Sequence, residues 1–332
     1  MIFVGIDVSA KTFDMAVCSK GKSLSNMQYT NDAKGIRAAS KRWKKKEKVR
    51  VCMESTGTYY LDLAIYLEGL SNVEVMVVNP RASKSFAQAR MQRSKTDKVD
   101  AQMLSEFGQR MKFIPWTPPR PEIMAVRSCA RRLAGLTKMR TQAKNQLHAL
   151  SATETTPTFV IDDVQLTIEQ LEKQIVNLKR YALDYIAEDD FLAETLSLLI
   201  TIPGIAETTA INLMGECLVL PEGMTNRQWV AMAGLDPRHF SSGSSVSRKT
   251  RISKAGNRYL RMALYMPALS ASYRQENIHA YYEHLIQNNG LKKPQALCAV
   301  MRKLLHSIHA MLKKREPFNP EGFYQLPLQA AA

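Results

Sequence analysis

The sequence predicts an α/β layer at the N-terminus followed by an all-α remainder. Three observations carry this. Strand-like and helical text alternates up to Ile114, two long stretches beyond it keep helical apolar spacing, and the last third breaks into short helices. At 332 residues the chain exceeds one ordinary small core, and domain-size priors give two or three compact units.

Each element follows from local pattern. IFVGIDVS, TFDMAVCS and SLSNMQYT read as three consecutive strands, the first apolar enough to be central, the next two joined by the turn KGK. A basic helix is expected from roughly Asp32 to Lys46. VRVCMES and VEVMVVNP then read as buried strands separated by the helix TYYLDLAIYLEGL. Three strands, a helix, a strand, a helix and a strand make the order of the ribonuclease H-like fold. PWTPPRP breaks regular structure, because proline restricts itself and the residue before it. Beyond it, Cys129, Leu133, Leu136, Arg140, Ala143, Leu147 and Leu150 alternate three- and four-residue steps, as do Ile168, Leu171, Ile175, Leu178, Ala182 and Tyr185. With the turn-like SATETTPT between them, they predict an antiparallel helical hairpin serving as spacer or oligomerisation arm. TIPGIAETTAINLMG sets a Pro-Gly turn between apolar helical segments, a helix-hairpin-helix-like pattern whose turn amides can face a phosphate. The expected domains are therefore 1–115, 116–192 and 193–332. His306 and His309 share a face of the last long helix, but without a nearby carboxylate they carry little metal-binding weight.

Composition narrows the function. A hydrophobic fraction of 45% with 23% charged residues is that of a globular protein. The apolar runs are too short to cross a bilayer, and no basic start precedes an apolar leader, so a cytoplasmic, nucleoid-associated protein with no membrane partner is expected. The five cysteines are odd in number, scattered and never CxxC, which argues against disulfides and a zinc knot. The net charge of +16 favours a polyanionic partner. No acid lies between Asp236 and Glu276, whereas Arg238, Arg248, Lys249, Arg251, Lys254 and Arg258 do, with Arg261 and Arg274. A run that excludes one sign so completely suits a phosphate-facing surface better than a solvated face.

Four acids stand out. Asp7 follows the apolar IFVGI and Glu54 ends VRVCM, placing both at the carboxyl halves of neighbouring central strands. Asp97 and Asp100, three apart in KTDKVDAQML, share a helix face. Four such acids repel one another unless a cation compensates them, and hard oxygen ligands suit Mg2+ or Mn2+. Two ions about 3.5–4 Å apart would clamp the attacking and leaving oxygens of a phosphodiester. Singly, Asp97 could be a helix-start acid and Glu54 a turn residue; Asp7 is harder to dismiss, because an acid in an apolar strand costs free energy unless paired. GIDVSAKTFD also resembles the first phosphate loop of actin-like sugar kinases, yet those need a second loop with paired glycines and this chain has no Gly-Gly.

FSSGSSVSRKTR, Phe240 to Arg251, has the composition of a linker. Its setting favours a loop that presents a serine: small residues let a phosphate approach, the flank supplies only cations, and the carboxylates offer no nucleophile of their own.

Taken in order, GIDVSAKTFD, MESTGTYY, NPRASKSFAQARMQRSKTDKVDAQMLSEF, IPGI, AMAGLDPR, SSGSSV and SKAGNRYLRMALYMPA resemble, nearly end to end, the DEDD transposases of the insertion-sequence one-ten family, bridge-RNA-guided serine recombinases. The resemblance implies an N-terminal RuvC-like domain, a coiled-coil insertion and a C-terminal transposase domain carrying a nucleophilic serine. By position the DEDD set becomes Asp7, Glu54, Asp97 and Asp100, and the serine before the glycine of SGSSV becomes Ser242. Ala206 stands where the family's turn usually reads PGIG. Also implied are a composite site shared between protomers of a dimer that pairs into a tetramer, donor and target DNA as substrates, and a structured non-coding RNA that base-pairs with both. Rival expectations are a metal-dependent Holliday-junction-type endonuclease using water, and a non-enzymatic nucleic-acid binder.

Overall fold

The computed structural model describes residues 1–19, 22–43, 47–92, 96–242 and 246–326, and the chain divides into two compact units, Met1–Pro118 and Pro119–Ala332. The first is built on β1 (Ile2–Val8), β2 (Thr12–Ser19), β3 (Lys22–Thr30), β4 (Val49–Glu54) and β5 (Val73–Val78), in the spatial order β3-β2-β1-β4-β5. β1, β2 and β3 pair antiparallel, while β4 and β5 join parallel. Parallel neighbours require crossovers. These contain α1 (Ala33–Ser40), between β3 and β4, and α2 (Leu61–Glu68), between β4 and β5. α3 (Pro80–Ala89) and α4 (Asp97–Arg110) follow.

Period-two alternation sorts the side chains of the sheet. Val4, Ile6, Phe13, Met15, Val51 and Met53 point to one face and join Ile36 of α1 and Leu63 of α2 in one core. Cys52, Met76 and Val78 point to the other, against Leu104 and Phe107 of α4. The basic helix expected to reach Lys46 ends at Ser40, because the chain turns to bury Trp43; residues 44–46 lie outside those described.

Gly5 lets α4 lie directly on the sheet. A Cβ there would meet the Ala101 carbonyl oxygen at 1.9 Å and the Ser105 nitrogen at 2.2 Å, and Ser105 Oγ donates to the Phe3 carbonyl at 3.1 Å. Backbone cannot yield as a flexible side chain can, so Gly5→Ala is expected to lose about 3 kcal/mol of stability, read from its urea midpoint against wild type.

The second unit opens with α5 (Pro121–Leu150) and α6 (Thr158–Ala187), which face each other through Leu136, Ala143, Val164, Ile168 and Leu171. Then come α7 (Asp190–Ile200), α8 (Glu207–Cys217), α9 (Asn226–Ala233), β6 (Pro237–Ser242), β7 (Val246–Ile252), α10 (Arg258–Arg274), α11 (Glu276–Gln287), α12 (Lys293–Lys314) and α13 (Pro320–Phe323). Ile186, Leu199, Ile211, Leu264 and Leu304 centre their core. Gly204, with φ +87°, turns the chain between α7 and α8 against Pro267 and Ser270 of α10.

The expectation of an all-α second half needs correction. β6 and β7 form an antiparallel two-stranded ribbon inside it. Its serine and arginine text has no apolar alternation; backbone pairing joins the two strands, and Ile252 at the end of β7 packs against the core of the second unit. All five cysteines are free, and among the described residues no helix is long and apolar enough to cross a membrane.

Candidate active site

The carboxylates of the first unit share the sheet face covered by α4. Asp7 follows Gly5 on that face of β1, and Glu54 follows Cys52 on that face of β4. β1 and β4 are parallel with Ile6 paired to Met53, so Asp7 and Glu54 are the next step along each. α4 runs against β1 in the opposite sense: Ser105 meets Phe3 and Ala101 meets Gly5. One further turn back, its first turn carries Asp97 and Asp100 toward Asp7, and Thr96 Oγ1 fixes that turn by accepting from the Val99 amide at 3.3 Å.

Electrostatics register the convergence. Burial, then the charges of Asp100, Asp97, Glu54 and Asp14, push the Asp7 carboxyl up to about 6 from the ordinary 3.8. Glu54 is oriented by two hydroxyls, Thr56 Oγ1 donating to Oε1 at 2.7 Å and Ser83 Oγ to Oε2 at 2.6 Å. The other three acids expected from the sequence therefore each bear on Asp7, and the structure adds a fifth, Asp14, paired directly opposite Asp7 across the β1–β2 ladder.

An oxygen-only donor set under mutual repulsion has the chemistry of a hard divalent-cation site. Among the described residues, no three His, Cys, Asp or Glu side chains are placed to enclose an ion.

In the second unit the basic stretch is a braced ribbon. Arg238 and Arg251, both exposed, stand directly opposite each other, as do Phe240 and Arg248. Like charges so placed repel, and an anion above them relieves the cost. The base is fastened by Ser253, whose Oγ donates to Asp236 Oδ1 at 2.6 Å, and by the Lys254 amide donating to the Gly234 carbonyl. Asn257 then caps α10 and donates from Nδ2 to Glu216 Oε2 at 2.5 Å; Glu216, 1% exposed, is also held by Arg131 through Nε at 2.8 Å and Nη2 at 3.3 Å. Arg258 lies over the Tyr259 ring at 5.0 Å. Ser242 is the last residue of β6, its backbone paired with Val246. Gly243, Ser244 and Ser245 lie outside the described residues, as do the side chains of Ser242, Arg248 and Lys249. His239 contacts Thr250 Oγ1 through Nδ1 at 3.2 Å, and His309 contacts the Met224 carbonyl through Nε2 at 2.8 Å.

Comparison with known proteins finds two family profiles along the chain. A DEDD transposase profile of the IS110 group covers residues 4–152, and the profile described as "Transposase IS116/IS110/IS902 family" covers residues 196–283. The chain belongs to the IS110 transposase family. It is a DNA transposase or recombinase, an enzyme that acts on DNA by recombination. Proteins of Moraxella bovis and Moraxella lacunata named pilin gene-inverting protein are each 28% identical to it over 326 residues, covering 96% of this chain and 97% of theirs. A Yersinia enterocolitica transposase for insertion sequence element IS1328 is 26% identical over 239 residues, 64% of this chain and 68% of its own. Membership of a DEDD family carries an expectation of divalent-metal dependence. Asp14 escaped the sequence reading because strand pattern gives a residue's face but not its partner across the ladder. The signal lay in the short SAK turn, which sets Asp7 against Asp14.

Proposed function

We propose that this transposase cuts and rejoins DNA through a serine-linked intermediate, with Ser242 as nucleophile and Asp7, Glu54, Asp97 and Asp100 as the divalent-metal site, guided by a structured non-coding RNA. The observation that carries the proposal is the convergence of these acids on Asp7, whose proton affinity is raised first by burial and then by their charges. Carboxylates so crowded favour a cation, and a cation with open coordination positions can also take a substrate phosphate. A bound Mg2+ or Mn2+ would polarise the scissile phosphate and offset charge in the transition state. Glu54, held by Thr56 and Ser83, would keep a fixed geometry toward the substrate.

In the proposed step Ser242 Oγ forms a bond to phosphorus as the bond from phosphorus to the 3′ oxygen breaks, and the serine proton is passed on so that a 3′ hydroxyl leaves. One phosphodiester replaces another. The 3′ hydroxyl of a second strand then attacks the phosphoserine and regenerates Ser242, so no ATP is consumed. Arg238, Arg251, Lys254 and Arg258, with Arg248 and Lys249 beside them in sequence, would hold the phosphate backbone and stabilise developing charge. Relatives named for inverting a pilin gene support exchange at defined sites over random cutting.

The RNA, the pairing of dimers into a tetramer, the RuvC-like character of the first unit and the coiled-coil insertion rest on the family resemblance, and a phosphate-facing α7–α8 turn rests on its Pro-Gly pattern. Purified protein is expected to recombine donor and target plasmids only with its cognate RNA and a divalent ion. Equal product yield without RNA contradicts guidance. A water-using junction endonuclease rests on the same acids and would cleave without forming joined products.

A further inference from the structure

The α4 face of the sheet carries a row that the four-acid site does not use. Asp14 stands opposite Asp7 in the β1–β2 ladder and opposite Gln28 in the β2–β3 ladder, so Gln28, Asp14 and Asp7 lie side by side on three adjacent strands. Asp14 is 3% exposed, and its described polar partner is neutral: Gln28 Nε2 donates to Oδ2 at 2.9 Å. Among the described residues no cation is paired with it.

A buried carboxylate with one neutral donor is costly, and asparagine would fill the same volume and keep a hydrogen bond to Gln28 without that cost. Its charge also bears on Asp7, adding to the repulsion that the other acids already exert. A carboxylate buried beside the site with one neutral donor gains a favourable partner when a positive charge arrives. Groups behind the direct ligands of a metal commonly set its affinity by fixing their orientation and supplying charge.

We propose that Asp14, oriented by Gln28, is a positioning residue for the divalent cation of this site, strengthening its binding beside Asp7 without replacing any of the four acids. Gln28 engages one oxygen and fixes the carboxylate plane; the negative charge does the rest. This rests on the assignment of Asp7, Glu54, Asp97 and Asp100 as the metal site.

The test is Mn2+ binding to the full chain, followed by titration calorimetry and by the paramagnetic signal of free Mn2+, with thermal unfolding in EDTA alongside. Asp14→Asn is expected to weaken Mn2+ binding about tenfold or more, while unfolding in EDTA at or above the wild-type temperature. Gln28→Leu, a change at an exposed position, is expected to weaken binding several-fold with unfolding unchanged. A merely structural Asp14 gives the opposite pattern, a lower unfolding temperature with wild-type Mn2+ affinity, and overturns the inference. If Asp14→Asn does not fold, wild-type affinity in Gln28→Leu overturns it equally. If the wild-type chain itself binds no Mn2+, the metal-site assignment fails and this inference with it.

Discussion

Asp7→Asn is expected to abolish DNA cleavage, by at least about three orders of magnitude in rate, while making the metal-free protein more stable. The two effects share a cause. The folded Asp7 carboxyl titrates near 6 and the unfolded one near 3.8, so ionising it costs the folded state. The cost is complete above about pH 6 and disappears as pH falls below about 4. Asparagine removes it. In EDTA at pH 7 the variant is expected to exceed wild type by about 1 kcal/mol, a figure reduced for solvent screening of a half-buried group. Urea unfolding at pH 7 and at pH 4 checks the sign: the advantage should shrink toward zero at the lower pH. A variant less stable than wild type at pH 7 would mean that Asp7 is an ordinary structural carboxylate.

Ser242→Ala is expected to remove both cleavage and joining, with DNA and RNA binding retained. Loss of a nucleophile is not partly compensated by its neighbours, because the phosphorus must be attacked by an oxygen held in line. Gel analysis of suicide substrates carrying a strand nick distinguishes the outcomes. Clean hydrolysis by the alanine variant at the wild-type rate would identify water as the nucleophile and favour a junction endonuclease. Ser241→Ala, one residue earlier in β6, is the companion variant and is expected to keep cleavage.

Much of the first unit was legible in the sequence. Apolar runs of strand length, a three-strand start and two helical crossovers fix a mixed sheet, and acids ending IFVGI and VRVCM stand out because charge in an apolar strand is costly. Asp97 and Asp100 follow from helical spacing alone. Inter-strand register was not legible, because one residue of turn length decides which side chains meet; Asp14 was therefore invisible until its pairing with Asp7 was seen. The ribbon was missed for a different reason. Phe240–Arg251 lacks the β-branched alternation that marks a half-buried strand, and a two-stranded ribbon held by backbone bonds needs none. The end of α1 was misplaced because lysines favour helix, while the burial of Trp43 overrides that preference.

Covalent capture tests the central claim most directly. Wild-type protein is incubated with cognate RNA, Mg2+ and a suicide DNA substrate, digested with protease, and the DNA-linked peptide identified by mass spectrometry. The expected result is one adduct, a phosphodiester of Ser242 carrying the 5′ end of the cleaved strand. Cleaved DNA with no attached peptide, or an adduct on Ser241, Ser244 or Ser245 in place of Ser242, would contradict it.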